Sequence, residues 1–326
     1  MISHSLTCNK ATRFSILTSF CVLLAGCAAN QPSSSVSQQQ SELYEGKAIL
    51  SHLAEQQAKT PEEALAKARQ AHQSGDMDRA LFQFIRAYEL DDQNSVALVS
   101  IAEIHYQRRN YQTSYLAYQK ALAVNPEQAD AHTGSGMILL HRKQYTLAQE
   151  SFNRAIELYL KQQQAGQPLV EAYTGLGIIH DIYGRYEQAR LNYTAATSIA
   201  PDSPVVLNNL GYSFYMQEKW PEAENTFARA LQADNQYQPA WKNLGLTYAR
   251  QEKYVAALDA LEQVMNSSQA YNDIGYICMI SQRYNRAAYF FRKAISESPQ
   301  YYKTAQQNLT RVKRLLASNP DGKSSL

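Results

Sequence analysis

Cys27 is the residue whose chemistry the sequence specifies most closely. It directly follows Leu24-Ala25-Gly26, and an apolar run over residues 14–24 comes before that. The run is about half as long as the ~20 residues that a helix needs to cross a membrane. A short basic segment, a short apolar stretch and small residues at its end are typical of a secretory signal peptide. We therefore predict that residues 1–26 are a signal peptide, which is removed just before Cys27.

The stretch from Leu24 to Cys27 resembles the lipobox of bacterial lipoproteins. In that family the cysteine thiol receives a diacylglyceryl group, the preceding peptide is cut off and the new amine is acylated. Each buried methylene contributes roughly 0.8 kcal/mol, so two or three fatty chains anchor a protein stably. The resemblance implies that Cys27 carries the lipid. Ala28 follows it instead of an aspartate, which by resemblance to Gram-negative lipoproteins implies the outer membrane, facing the periplasm.

Residues 28–41 are rich in serine and glutamine and have no periodic apolar pattern. This composition predicts a flexible coil, so residues 27–41 form a lipidated tether in this interpretation. A coil of this length spans about 20 Å on average. The tether would hold the folded part close to the membrane.

The charge balance argues against a nucleic-acid partner. The predicted signal peptide contains Lys10 and Arg13 and no acid, so the rest of the chain has 29 basic and 29 acidic residues. Proteins that bind nucleic acid show a basic excess. Residues 283–326 are basic and could meet an acidic partner or anionic surface sugars, although a solubilising helix face explains them more simply.

No group of residues in the sequence indicates catalysis. The chain has no G-x-S-x-G, P-loop or H-E-x-x-H motif. Once Cys27 is lipidated and the signal peptide removed, Cys278 is the one cysteine left, which excludes an intramolecular disulfide and a thiolate zinc site. We expect Cys278 to be a buried, inert thiol. The sequence predicts a protein that is not an enzyme and needs no metal or cofactor.

A repeated pattern begins near residue 61. A small residue is followed four positions later by an aromatic residue and seven positions later by alanine, and the copies start 34, 34, 41, 34, 34 and 30 positions apart. Apolar-glycine pairs such as Leu210-Gly211 and Leu244-Gly245 lie upstream of several copies. The copies are Ala80/Phe84/Ala87, Ser114/Tyr118/Ala121, Ala148/Phe152/Ala155, Ala189/Tyr193/Ala196, Ala223/Phe227/Ala230, the degraded Ala257/Leu261/Val264, and Ala287/Phe291/Ala294.

The pattern resembles the tetratricopeptide repeat, whose 34-residue unit is a pair of antiparallel helices. Aromatic rings that fill notches left by glycine and alanine let helix axes approach to about 8–10 Å. The resemblance implies an all-α, right-handed superhelix of antiparallel helix pairs. We predict a polar insert, Gln162–Gln167, at the 41-residue spacing and a shortened second helix in the sixth unit. The seven predicted units are residues 61–94, 95–128, 129–162, 170–203, 204–237, 238–267 and 268–301.

Two further helices are predicted beside the repeats. Residues 42–60 have a helical apolar pattern, and so do residues 302–317. The second of these should cover the open end of the last unit, as terminal caps do in repeat proteins. Residues 318–326 are predicted to be a disordered tail.

The first helices of stacked units should build a concave groove. Asn209, Asn243 and Asp273 each stand directly before an apolar-glycine pair. By resemblance to peptide-binding tetratricopeptide domains, an asparagine here faces the groove and grips a ligand backbone, because an amide both donates and accepts. The alternative is that these are ordinary solvated or packing residues. The other predicted groove residues are Asn208, Tyr212, Tyr215, Met216, Lys242, Arg250, Asn272 and Tyr276.

Residues 270–309 narrow the family further. They begin Ala-Tyr-Asn-Asp-Ile-Gly-Tyr, contain a double aromatic before Arg-Lys-Ala, and continue Ser-Pro-Gln-Tyr-Tyr. This stretch is similar to the TadD family, lipoproteins of the tight adherence machine that builds the Flp, or type IVb, pilus. The resemblance implies a scaffold that helps a secretin, or another pilus assembly component, to localise, assemble or remain stable, without a cofactor.

Two other functions stay open at this stage. A pilotin of the type IVa pilus also combines a lipobox with such repeats, although residues 270–309 argue against it. An adaptor that docks peptidoglycan hydrolases is the other possibility.

The anchor leads to a direct prediction. Cys27→Ala should leave the repeats folded but release the protein from the membrane, because the thiol that would carry the lipid is gone. Membrane fractionation and fatty-acid labelling measure this, with Cys278→Ala as the control that keeps the label. A Cys27→Ala protein that still sediments with the outer membrane would contradict the assignment.

Overall fold

The computed structural model describes residues 58–318, which are helical nearly throughout, and no strand occurs in that range. The predicted signal peptide, Cys27, the tether, most of the predicted helix 42–60 and residues 319–326 lie outside it. None of the described helices is long and apolar enough to cross a membrane. The helices are α1 (Pro61–Gln73), α2 (Met77–Leu90), α3 (Ser95–Gln107), α4 (Tyr111–Val124), α5 (Ala129–His141), α6 (Tyr145–Lys161), α7 (Gln167–Ile182), α8 (Tyr186–Ile199), α9 (Pro204–Met216), α10 (Trp220–Ala233), α11 (Gln238–Arg250), α12 (Tyr254–Glu262), α13 (Ser267–Ile280), α14 (Tyr284–Ser296) and α15 (Lys303–Ser318).

The helices form seven pairs followed by a single helix. Each odd-numbered helix from α1 to α13 packs on the even-numbered helix after it, and α15 packs on α14. The first helices of successive pairs also contact one another from α3 through α15. They therefore form a continuous inner wall, with the second helices outside it. The predicted all-α class is confirmed over the described part of the chain.

Helix α1 begins at Pro61, so the predicted helix 42–60 is wrong at its end. Residues 58–60 are not helical. Thr60 has an extended backbone, and its hydroxyl accepts a hydrogen bond of 3.2 Å from the amide of Glu63. Threonine at this cap position and proline in the first turn both favour a new helix start, and a residue before proline is disfavoured in a helix.

The predicted insert Gln162–Gln167 falls on the connection between α6 and α7, where residues 162–166 are not helical. Helix α6 has 17 residues and α7 has 16, whereas the other first and second helices up to α11 have 13 or 14. Most of the extra residues therefore extend these two helices, and α7 begins at Gln167 instead of residue 170. Leu158 and Tyr159 at the end of α6 and Leu169 at the start of α7 are buried, which explains why the added turns are helical. In the sixth pair, α12 has only 9 residues.

In the third, fourth, fifth and seventh pairs an aromatic ring of the second helix fills a glycine notch in the first helix. A Cβ atom placed on Gly211 would lie 2.7 Å from Cε1 of Phe227, and Phe227 has no exposed surface. Gly136 stands at the same repeat position in the third pair, where a Cβ atom would lie 2.6 Å from Cε1 of Phe152. The sixth pair uses Leu261 instead of an aromatic residue.

Helix α15 ends the stack. Ala305, Leu309 and Val312 are buried beneath it. Thr310 occupies the position of the notch glycine, and it is exposed because no second helix follows within the described residues. Lys313, one turn on, is exposed as well. A polar outer face is what a terminal cap of a repeat array needs.

The notch leads to a prediction. Gly211→Ala should destabilise the protein by about 1–2 kcal/mol, because the cost of overpacking exceeds the ~1 kcal/mol that alanine gains in helix propensity. Thr310→Ala, at the same repeat position but without a facing ring, should change stability by less than about 0.5 kcal/mol. Thermal and urea unfolding measure both. Equal stability of the two variants would show that the ring does not need the notch.

Candidate partner-binding groove

The predicted groove residues lie on α9, α11 and α13, where these first helices contact one another. Their exposure differs. Asn208 and Asn272 are each 7% exposed, whereas Tyr212, Met216 and Tyr276 are well exposed. Those of intermediate exposure are Asn209, Tyr215, Asn243, Arg250 and Asp273, and Lys242 is exposed.

Two asparagine pairs link successive first helices. Nδ2 of Asn243 donates to Oδ1 of Asn208 over 2.9 Å, and Nδ2 of Asn308 donates to Oδ1 of Asn272 over 3.1 Å. The two residues of a pair are 35 positions apart in one case and 36 in the other. The two pairs therefore link neighbouring first helices at equivalent places in the stack. Asn209 forms no hydrogen bond of its side chain within the described residues, which leaves its amide available to a ligand.

Asn308 was missed by the sequence analysis. It directly precedes Leu309 in α15, just as Asn243 precedes Leu244 in α11. The missing glycine at Thr310 hid the correspondence. The apolar positions Ala305 and Leu309 could have shown that α15 repeats the pattern of a first helix.

Arg250 fixes an aromatic platform between the fifth and seventh pairs. Its Nε donates to the hydroxyl of Tyr215 over 3.1 Å, and its Nη1 donates to Oγ of Ser281 over 3.2 Å. The guanidinium also lies 5.6 Å from the ring centre of Trp220. Tyr212 stacks on Tyr215 with ring centres 5.9 Å apart. The platform gives a partner a rigid aromatic surface with polar edges.

Lys242 and Asp273 face each other across α11 and α13. Burial raises the pKa of the Asp273 carboxyl, and the Lys242 charge opposes that rise. The side chain of Asn272 also donates to Oδ1 of Asp273 over 3.4 Å. Asp273 was predicted to face the groove like Asn209 and Asn243. Its carboxylate is held in place by Asn272 and lies near Lys242.

An acidic set on α3, α5 and α7 was not predicted. Glu103, Asp130 and Glu171 lie close enough that the last two carboxylates raise the pKa of Glu103. Partial burial of the Glu103 carboxyl by the surrounding helices raises its pKa more than the two neighbouring charges do. Together these effects bring the pKa of Glu103 to about 7. The side chain of Glu103 is exposed to solvent, so this concave part of the wall is hydrated. The hydroxyl of Tyr159 donates to Oδ1 of Asp130 over 2.6 Å.

The described residues contain no cluster of three or more histidine, cysteine or acidic side chains able to hold a metal ion. Cys278 is buried, as predicted, and burial raises the pKa of its thiol. A thiol in this state is a poor nucleophile.

Tetratricopeptide repeat models match this chain over residues 127–202, 183–245 and 268–301. The chain is 26% identical over 133 residues to the human Cell division cycle protein 16 homolog, covering 37% of this chain and 22% of that protein. It is 26% identical over 171 residues to the type IV pilus assembly protein PilF of Pseudomonas aeruginosa, covering 51% of this chain and 64% of that protein. The chain thus spans less than two thirds of either relative.

Solved structures share the fold. A structure of P. aeruginosa PilF superposes with a TM-score of 0.51 at 18% identity, covering 68% of this chain and 98% of that one. A structure of PilW, described as a widely conserved type IV pilus biogenesis factor, gives a TM-score of 0.50 at 15% identity, covering 77% and 99%. Repeat models matched in sequence and the same helix pairs in structure show that this chain contains tetratricopeptide repeats.

Proposed function

We propose that this protein is a membrane-tethered scaffold that binds a segment of a protein partner in its inner groove and thereby assists assembly of a type IV class pilus machine. The scaffold role is carried by the inner wall of first helices. That wall presents exposed aromatic side chains beside the free amide of Asn209. Side chains of this kind offer contact area and backbone hydrogen bonds to an extended or helical peptide.

The assignment to a pilus machine is supported by the similarity to PilF, which covers about half of this chain. The similarity of residues 270–309 to the TadD family supports the tight adherence, or Flp, machine in particular. The partner in this proposal is the secretin of that machine or another of its assembly components. The second candidate is a type IV pilus assembly factor of the PilF kind, which the sequence match to PilF favours.

The location in this proposal is the periplasmic face of the outer membrane, with the lipid on Cys27 as the anchor. The lipobox resemblance and Ala28 support it. An anchored scaffold with a short tether would keep its partner near the membrane in which a secretin must assemble. The predictions on Cys27 and on the groove test these two parts separately.

The groove leads to a prediction on partner capture. The double variant Asn209→Ala with Asn243→Ala should weaken capture of the partner while the thermal midpoint changes little, because the pair loses one partly exposed hydrogen bond worth about 1 kcal/mol. The matched control is Asn192→Ala with Asn225→Ala, which removes two amides from the second helices α8 and α10. Affinity purification from envelope extracts measures capture.

The cellular readout is the level of SDS-resistant secretin multimers and of surface pili in a deletion strain carrying each variant. The proposal predicts fewer multimers with the groove variant and normal multimers with the control. Normal multimers and normal piliation in the deletion strain itself would contradict a role in pilus assembly. Loss of type IV pili from a machine other than Flp would favour the second candidate.

A further inference from the structure

The two ends of the inner wall differ in chemistry. On α3, α5 and α7 it carries Glu103, Asp130 and Glu171, and none of them forms an ion pair with a lysine or arginine of residues 58–318. Arg69 of α1 lines the same cleft as Glu103 without pairing with it. The carboxylates repel one another across the concavity, so a cation placed between them would be stabilised by all three.

The other end of the wall is apolar. Five large side chains on α7, α9 and α13 are each between 42% and 48% exposed. They fall on two lines of equivalent repeat positions and form a stripe along the wall, which Arg250 of α11 interrupts between α9 and α13. The stripe consists of Ile182, Tyr212, Met216, Tyr276 and Ile280. Exposed apolar side chains grouped on one face in this way are typical of an interaction site.

Both surfaces include α7, which carries Glu171 near its start and Ile182 at its end, about 16 Å apart along the helix axis. Packed helices lie about 10 Å apart. The acidic part therefore runs for about 20 Å from α3 to α7, and the apolar part for about 30 Å from α7 to α13. At about 3.3 Å per residue, an extended chain would place roughly six residues on the acidic part and nine on the apolar part.

We propose that the groove is bipartite and that its partner is a protein segment of about 15 residues with lysine or arginine clustered at one end and apolar side chains along the rest. This inference rests on the proposed groove and names the chemistry of its occupant. The positive end lies over Glu103, Asp130 and Glu171. The apolar remainder lies against Tyr212, Met216 and their neighbours on the stripe.

The charges of the apolar part agree with this division. Lys242 and Asp273 face each other there, and Arg250 is held by Tyr215, Ser281 and the ring of Trp220. Arg250 is thus used within the wall, and the exposed charge of Lys242 disfavours a lysine or arginine of the partner at this end. The acidic part therefore selects the partner by charge, and the apolar part supplies most of the contact area.

The test uses synthetic 15-residue fluorescent peptides and the full chain in detergent. One peptide has three lysines within its first six residues and leucine, isoleucine and phenylalanine in the remainder. A second has three glutamates in place of the lysines. Each is also made with its charged end at the carboxyl terminus, because the charges fix the place of that end and not the direction of the chain. Fluorescence anisotropy at low and high salt measures binding.

The lysine peptide should bind at least about tenfold more tightly than the glutamate peptide in one of the two directions, and salt should reduce the difference. Glu103→Gln with Glu171→Gln should shrink the difference to less than about threefold. The matched control, Glu150→Gln with Asp259→Asn, removes two exposed charges from the second helices and should leave the difference intact. Thermal unfolding checks that all variants are folded.

Equal binding of the lysine and glutamate peptides would overturn the bipartite groove, and so would an unchanged preference in the Glu103→Gln, Glu171→Gln variant. The proposed function fails differently. If the Asn209→Ala, Asn243→Ala variant weakens partner capture although the peptides show no preference, the groove stands and only the charge selection falls.

Discussion

The filling of a glycine or alanine notch in one helix by a ring from the next is the interaction on which the structure depends. Phe152 shows it most fully, because Gly136 and Gly175 both face its ring from two successive first helices. A single methyl group at either glycine would overlap the ring. This contact sets the distance within a pair and between pairs at once. Its repetition along the chain, with Leu261 in place of a ring in the sixth pair, produces a continuous wall of first helices.

That packing also explains why the inner wall can carry a binding surface. The notch side of each first helix packs on the second helix, so the opposite side is left for contacts between first helices and for a partner. Asparagine pairs such as Asn243 with Asn208 tie successive units together there with directional bonds. The remaining positions are free to hold aromatic, apolar or acidic groups. In this chain they divide into an acidic part and an apolar part.

The sequence predicted the helix pairs because notch and ring recur at a fixed spacing that packing requires. It could not predict which polar groups meet, since Glu103, Asp130 and Glu171 are far apart along the chain and come together only through stacking. The turns inside the pairs need a residue with positive φ, and Arg109 and Lys143 adopt it where glycine would be expected. The polar residues 162–167 marked the connection between α6 and α7, but they gave no sign that most of the extra length extends these helices, which bury Tyr159 and Leu169 beside the connection.

The claim that the inner wall receives the partner is tested most directly by photo-crosslinking in cells. A photoreactive phenylalanine analogue at Tyr276 would sit on the wall, and one at Tyr289 would sit on the second helix α14 with nearly equal exposure. The account predicts a covalent adduct with a partner protein from position 276 and little or none from position 289. An adduct formed only from position 289 would place the binding surface on the outer helices and contradict the account.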